Sequence, residues 1–180
     1  MEALDLVDES DQVIGRVPID QAHKEGKLHR EVHVWLYTPK AELIWQCRGA
    51  SKPMFASLLD ATVGGHVTSG QTYEEAAIRE LAEETGVIAD IKQLRFIKTI
   101  RSRIVDPRNG FINNVFLCVY ALRYEGGLKD LKIEEGEISH FELWPIKKLF
   151  SLTEKEKQKF IPALLSERNL EIYKAIQKLV

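Results

Sequence analysis

The sequence predicts an α/β fold in which a mixed β-sheet is sandwiched between helices. Three observations carry this prediction. Apolar runs of strand length, bounded by turn-forming residues, recur from Leu4 to Trp144. Segments with helical period, Thr72 to Thr85 and Thr153 to Val180, interrupt the strands at irregular intervals. Several runs are joined by connections of hairpin length, which a purely parallel sheet does not use. The chain has 180 residues, 44% hydrophobic and 29% charged. That size predicts a single domain (1–180) able to bury its own core.

Taken in order, Leu4 to Val7 reads as a strand, Asp8 to Asp11 as a turn and Val13 to Val17 as the second strand. Pro18 follows, and Asp20 to Lys24 forms a short helix stopped at Gly26. Val32 to Tyr37 (VHVWLY) is a strong strand, Pro39 to Glu42 a turn, and Leu43 to Cys47 its hairpin partner. Arg48 to Pro53 is basic and turn-like, and Ala61 to Val63 is a short apolar step before two glycines. Thr72 to Thr85 is the clearest helix. Thr72 caps it, Glu75 three residues on completes a capping box, and Gly86 supplies a left-handed stop. Ile91 to Arg101 reads as extended, Asp106 to Gly110 as a turn, Val115 to Leu122 as a buried strand, and Phe141 to Trp144 as a strand closed by Pro145. The apolar positions Phe160, Leu164, Leu165, Leu170, Ile172, Ile176 and Leu179 give the tail a helical period.

The formal net charge of −2 argues against a nucleic-acid duplex as partner, since that partner demands a basic excess. A small anion remains compatible, because a local cation cluster or a metal can offset the global sign. Cys47 and Cys118 sit in the apolar strands IWQC and FLCVY and read as buried reduced thiols. The acidic start MEALDLVDESDQ has no basic region followed by an apolar core, and no window is apolar enough to span a bilayer, so the expected location is cytoplasmic, with no membrane partner.

The chemistry concentrates in Gly64 to Val87, GGHVTSGQTYEEAAIRELAEETGV. At 3.6 residues per turn, Glu80, Glu83 and Glu84 share one helix face, while Ile78, Leu81 and Thr85 face the core. Three carboxylates on one stripe repel one another. A cation among them removes the conflict, and hard oxygen donors suit magnesium, with manganese as the alternative. Gly64, Gly65 and Gly70 read as a loop able to approach a ligand closely. Arg79, beside the stripe, can brace a glutamate. By itself an acidic helix face is more often only a solvated one; the glycines, the cap and the Arg-Glu pair in one register change that balance.

The segment resembles the Nudix box, G-x5-E-x7-R-E-U-x-E-E-x-G-U with U aliphatic. Gly65, Arg79, Glu80, Leu81, Glu83, Glu84, Gly86 and Val87 fall on its fixed positions, and Gln71 departs from its first Glu. The resemblance covers roughly the first 145 residues, judged by strand and turn periodicity. It implies a three-layer α/β/α sandwich with a mixed sheet, and a hydrolase that cuts a phosphoanhydride bond in a diphosphate linked to another group. It implies that Glu80 and Glu84 hold metal, that Glu83 shares the site, that the Gly64 carbonyl is a further ligand, and that Arg79 orients the glutamates. In the family a loop glutamate outside the box often acts as general base; in the run Glu134-Glu135-Gly136-Glu137, Glu137 is the first choice and Glu135 the second, although a solvated acidic turn is as good a reading of the run. Arg48 and Lys52 are candidate phosphate contacts, or plain surface cations.

Ala22-His23, Leu28-His29 and Gly64-Gly65-His66 are similar to a histidine pattern of isopentenyl-diphosphate isomerase, a Nudix-fold enzyme. That enzyme's catalytic cysteine position is Gly64 here, and the strand near Asn113-Asn114 lacks its glutamate, so both proton-transfer groups an isomerase needs are missing. The chain therefore reads as an isomerase-like branch of Nudix hydrolases, with an isomerase or a non-catalytic binding module as the alternatives. The three histidines then pack the N-terminal extension (1–30) against the site or bind a second metal. The C-terminal helical segment (150–180) completes the pocket or forms a homodimer interface. Trp35, Trp45 and Trp144 stack on a base or fill the core. The variable loops, not the box, select the small diphosphate substrate.

Overall fold

The computed structural model describes residues 3–52, 54–106 and 110–180. Strands β1 (Ala3–Val7) and β2 (Val13–Pro18) pair as an antiparallel hairpin, followed by helix α1 (Ile19–Glu25), which ends on Gly26 at φ 63°. The main sheet contains β3 (His29–Tyr37), β4 (Glu42–Arg48), β5 (Leu59–Asp60), β6 (Val63–His66), β7 (Arg95–Val105), β8 (Ile112–Arg123) and β9 (Ile138–Pro145). Its path is β5-β4-β3-β8-β7, with β6 paired to β3 and β9 to β4. Only β3 and β8 run parallel among these pairs, so the sheet is mixed, as the hairpin spacing predicts.

Strand β3 explains the layering. Alternate residues of a strand face opposite sides. Val32, Val34 and Leu36 pack with Ala76, Ala77 and Leu81 of helix α2 (Tyr73–Thr85). Trp35 and Tyr37 face the other way, onto Ile172, Tyr173 and Ile176 of helix α4 (Glu167–Gln177). The result is an α/β/α sandwich. Each fully buried Leu or Ile contributes about 1.5–3 kcal/mol relative to exposure, so both helices are fixed by side-chain burial on their sheet faces. Cys47 and Cys118 are buried free thiols, as expected.

Two expectations need correction. Gly64 and Gly65 belong to strand β6, whose residues Val63 to His66 pair antiparallel with Val34 to Glu31; they are not in a loop. Glycine carries no side-chain periodicity to betray a strand, and here the bare backbone makes room for a neighbouring side chain. The tail is not one helix either. It divides into α3 (Glu154–Lys157), a 3-10 turn (Pro162–Leu165) and α4. Pro162 lacks the N–H an uninterrupted helix needs. Phe160 instead bridges Leu59 and lies edge-on to Trp45, their rings 4.7 Å apart. At smaller scale, Ile91–Gln93 is a 3-10 turn and β7 begins at Arg95. Pro53, and Pro107 to Asn109 of the expected turn after Asp106, lie outside the described residues.

Candidate functional site

Helix α2 starts as its sequence dictates. Thr72 Oγ1 accepts from the Glu75 N–H at 3.2 Å, and the Glu75 carboxylate accepts from the Thr72 N–H at 2.8 Å. The helix closes on Gly86 at φ 71°. Leu81 and Thr85 are fully buried, and this rotates Glu80, Glu83 and Glu84 toward one cavity of ≈ 560 Å³.

That cavity brings together most of the site residues expected from the sequence: Gly64, Glu80, Glu83, Glu84, Arg48, Lys52 and Glu137 all line it, while Arg79 and the second-choice base Glu135 do not. Arg79 stands just behind. Its Nη2 is 2.9 Å from Glu80 Oε1 and 2.9 Å from the His66 carbonyl, and its Nη1 is 3.0 Å from Glu83 Oε2. One planar guanidinium thus fixes two glutamates to the end of β6. Gln71 Oε1 accepts from the Thr68 N–H at 3.2 Å and faces Arg79 Nη2 at 3.5 Å. The amide oxygen therefore braces the loop without a carboxylate's charge.

Gly65 is the closest approach in the site. A Cβ there would fall inside the 3.0 Å floor for real contacts against Glu80 Cδ, Oε1 and Cγ. Gly64 offers its N–H to Glu84 Oε2 at 3.4 Å, and Gln46 Nε2 lies 3.5 Å from the same oxygen. Burial, then the charge of Glu80, pushes the Glu84 carboxyl well above its ordinary range; the Gly64 N–H opposes this, while Asp60 and Glu134 add to it. A carboxylate so placed is stabilised by a cation at its open side.

The cavity's cations are already engaged. Arg48 pairs with Asp60 at 2.8 Å and donates to the Met54 carbonyl. Lys52 pairs with Glu137, and the loops carrying them are stitched by the Gly49 N–H on the Glu137 carbonyl at 2.7 Å and by Ser51 Oγ on the Gly136 carbonyl. Glu134 lines the cavity beside Glu137, whereas Glu135 is not among the lining residues. Trp35 and Trp45 are fully buried against each other at 4.7 Å, 68° between planes, and so are core rather than base-stacking surface. Trp144 packs on Phe160 at 4.8 Å.

His23, His66 and Glu31 line the same cavity, with the buried His29 among them. Burial holds His23 and His29 below the usual imidazole range. Burial pushes Glu31 up, but His66, His29 and the Asn113 amide together hold it below its ordinary value. Glu31 is the residue that sequence reasoning missed. The only available signal was the alternation His29, Glu31, His33 along one face of β3.

The family model for the NUDIX domain matches residues 27–164. A Nudix hydrolase of Deinococcus radiodurans is 36% identical over 122 residues, covering 68% of this chain and 68% of its own. A Nocardia farcinica protein named isopentenyl-diphosphate Delta-isomerase is 35% identical over 112 residues, covering 62% of each. A crystal structure of a Deinococcus radiodurans protein superposes with a TM-score of 0.73 at 29% identity, covering 97% of this chain and 99% of that one. The chain aligns with 47%, 62% and 68% of the lengths of the first three curated relatives it matches.

Proposed function

The chain belongs to the NUDIX family, and from that premise we propose that it is a divalent-cation-dependent hydrolase of phosphoanhydride bonds, acting on a diphosphate linked to a second moiety. One observation carries the reading. Glu80, Glu83 and Glu84 converge on a single cavity, Arg79 braces Glu80 and Glu83 there, and burial beside Glu80 pushes the Glu84 carboxyl well above its ordinary range. The three glutamates offer only oxygen donors, the set magnesium or manganese prefers. When bound, such an ion neutralises phosphate oxygens and activates water for in-line attack.

In this reading Glu80 and Glu84 hold the ion, Glu83 shares it, and the Gly64 backbone flanks it. Arg79 keeps the carboxylates in register. Glu137 and Glu134 are the proton acceptors within reach of the cavity. Lys52 and Arg48 receive phosphate oxygens by exchanging their present carboxylate partners, so the arrival of a diphosphate at Lys52 releases Glu137. The N-terminal extension (1–30) contributes His23, and the C-terminal segment (150–180) walls the cavity with Ile161, Leu164 and Arg168. An isomerase is disfavoured because Gly64 lacks a thiol and its Cβ direction is filled by His33, 3.2 Å away.

The test is incubation with magnesium and a panel of diphosphate-linked compounds, isopentenyl diphosphate included, following phosphate and pyrophosphate release. Metal-dependent release lost in Glu84→Gln supports the reading. No release from any compound, or double-bond migration instead, overturns it.

A further inference from the structure

Residues 67–72 carry the chain from β6 into α2 and hold the site's brace between their ends. Just before them the His66 carbonyl accepts from Arg79 Nη2 at 2.9 Å, and near their end Gln71 Oε1 faces the same nitrogen at 3.5 Å. The shape of this loop therefore sets where the Arg79 guanidinium lies, and with it Glu80 and Glu83. Strand β1 grips the loop from outside. We infer that Asp5 is a positioning residue of the hydrolytic site: its carboxylate fixes loop 67–72 and, through Arg79, the glutamates that hold the metal. This deepens the hydrolytic reading and rests on it.

The backbone donors of the loop show where it is held. The Val67 N–H donates to the Arg30 carbonyl at 3.0 Å, and the Gln71 N–H to the Thr68 carbonyl at 2.9 Å. The Thr68 N–H donates to Gln71 Oε1, and the Thr72 N–H to the Glu75 carboxylate. The two donors at the tip are met by β1. The Ser69 N–H donates to the Ala3 carbonyl at 2.9 Å, and the Gly70 N–H to Asp5 Oδ2 at 3.0 Å. Ser69 Oγ donates to Asp5 Oδ1 at 2.5 Å. One carboxylate thus takes a backbone and a side-chain donor of the tip, and ionised acceptors make the stronger hydrogen bonds. Gly70 sits at φ 87°, a left-handed conformation that glycine reaches without strain.

Asp5 is only 7% exposed. Burial pushes its carboxyl up, but the Ser69 hydroxyl, the Gly70 N–H and the charges of Arg16 and Arg30 together hold it below its ordinary value. The hairpin has other anchors. Leu4 is buried with Val17 and Ala22, and near the turn Asp11 pairs with Arg30 at 2.7 Å and accepts from Tyr73 Oη at 3.0 Å. What Asp5 adds is a fixed loop tip. Gln71 braces the loop from within by a neutral amide, and the charge that holds the tip comes from Asp5, which precedes the residues matched by the family model.

The experiment uses the full chain and Mn2+, followed by electron paramagnetic resonance, and reads the Mn2+ equivalent that Glu84→Gln removes. Asp5→Ala should weaken that equivalent about tenfold, the low end for partners that orient metal ligands. It should also speed hydrogen exchange at the Ser69 and Gly70 amides. Asp5→Asn can return an oxygen to the Gly70 N–H and an N–H to Ser69 Oγ, and should restore part of the affinity. Val17→Ala weakens the same hairpin, where Val17 packs with Leu4, without touching the loop. It should lower Tm and leave Mn2+ affinity unmoved, which separates positioning from general stability. If Asp5→Ala does not fold, Ser69→Ala takes its place and shifts the affinity in the same direction by a smaller factor. Parent-like Mn2+ affinity in the variant used, or an equal loss in Val17→Ala, would overturn the proposal and leave the metal reading standing. Mn2+ binding that Glu84→Gln leaves intact would overturn both.

Discussion

Replacing Gly65 with alanine is the smallest change that tests how the site is built. The residue sits in β6 opposite Val32, and no positive φ is recorded there, so the strand backbone accepts an L side chain. What cannot accept it is the Glu80 carboxylate, whose Cδ, Oε1 and Cγ all lie inside the 3.0 Å floor around the new methyl. Glu80 must swing out, which breaks its 2.9 Å contact with Arg79 and withdraws one carboxylate from the stripe. Overpacking of this kind costs about 1–3 kcal/mol. In a domain of this size each kcal/mol lowers Tm by about 2–4 °C. The catalytic cost is larger than the thermal one, since misplacing a positioned group by about 1 Å costs on the order of a hundredfold in rate. The assay is metal-dependent hydrolysis across a magnesium titration, with a thermal melt beside it. We expect a fall of about a hundredfold or more, a weaker magnesium dependence, and a Tm lower by several degrees. A Gly65→Ala protein with unchanged activity and magnesium midpoint would refute the claim that Glu80 lies over this glycine and belongs to the proposed hydrolytic site.

Two further outcomes follow from the same geometry. Arg79→Lys keeps the charge but loses the planar fork that reaches Glu80, Glu83 and the His66 carbonyl at once; the magnesium midpoint should rise about ten- to a hundredfold with the fold intact, and an unchanged midpoint would remove Arg79's bracing role. Glu84 is more readily protonated in the folded chain than in the unfolded one, so in metal-free protein its contribution is most favourable below the ordinary value of 4.5 and is lost as pH rises through its raised folded value. Glu84→Gln should therefore raise the metal-free Tm at neutral pH and flatten its pH dependence, with the order reversing at saturating magnesium. Thermal melts with chelator and with magnesium check this, and a variant no more stable than the parent at neutral pH without metal would sink it.

The acid stripe was legible in the sequence because everything that makes it is local. The spacing of Glu80, Glu83 and Glu84, the Thr72–Glu75 box and the Gly86 stop act within one helix, where 3.6 residues per turn fixes which side chains share a face. The mixed sheet was legible for a similar reason, since hairpins and strand alternation are short-range patterns. What only the tertiary structure decided depends on neighbours distant in sequence. Gly64 and Gly65 are a strand because β3 pairs with them, and glycine has no periodic side chain to announce it. The tail breaks where Phe160 is drawn beneath Trp45. Lys52 and Glu137 were read as separate groups, yet they neutralise each other across two loops 85 positions apart. Glu31 lies just before the strand expected at Val32 to Tyr37 and was given no role, and only the packing of β6 and α1 brings His66 and His23 to it. Helix periodicity is written in the chain itself, whereas the meeting of β3, β6 and α1 is written only in the packing that buries them together.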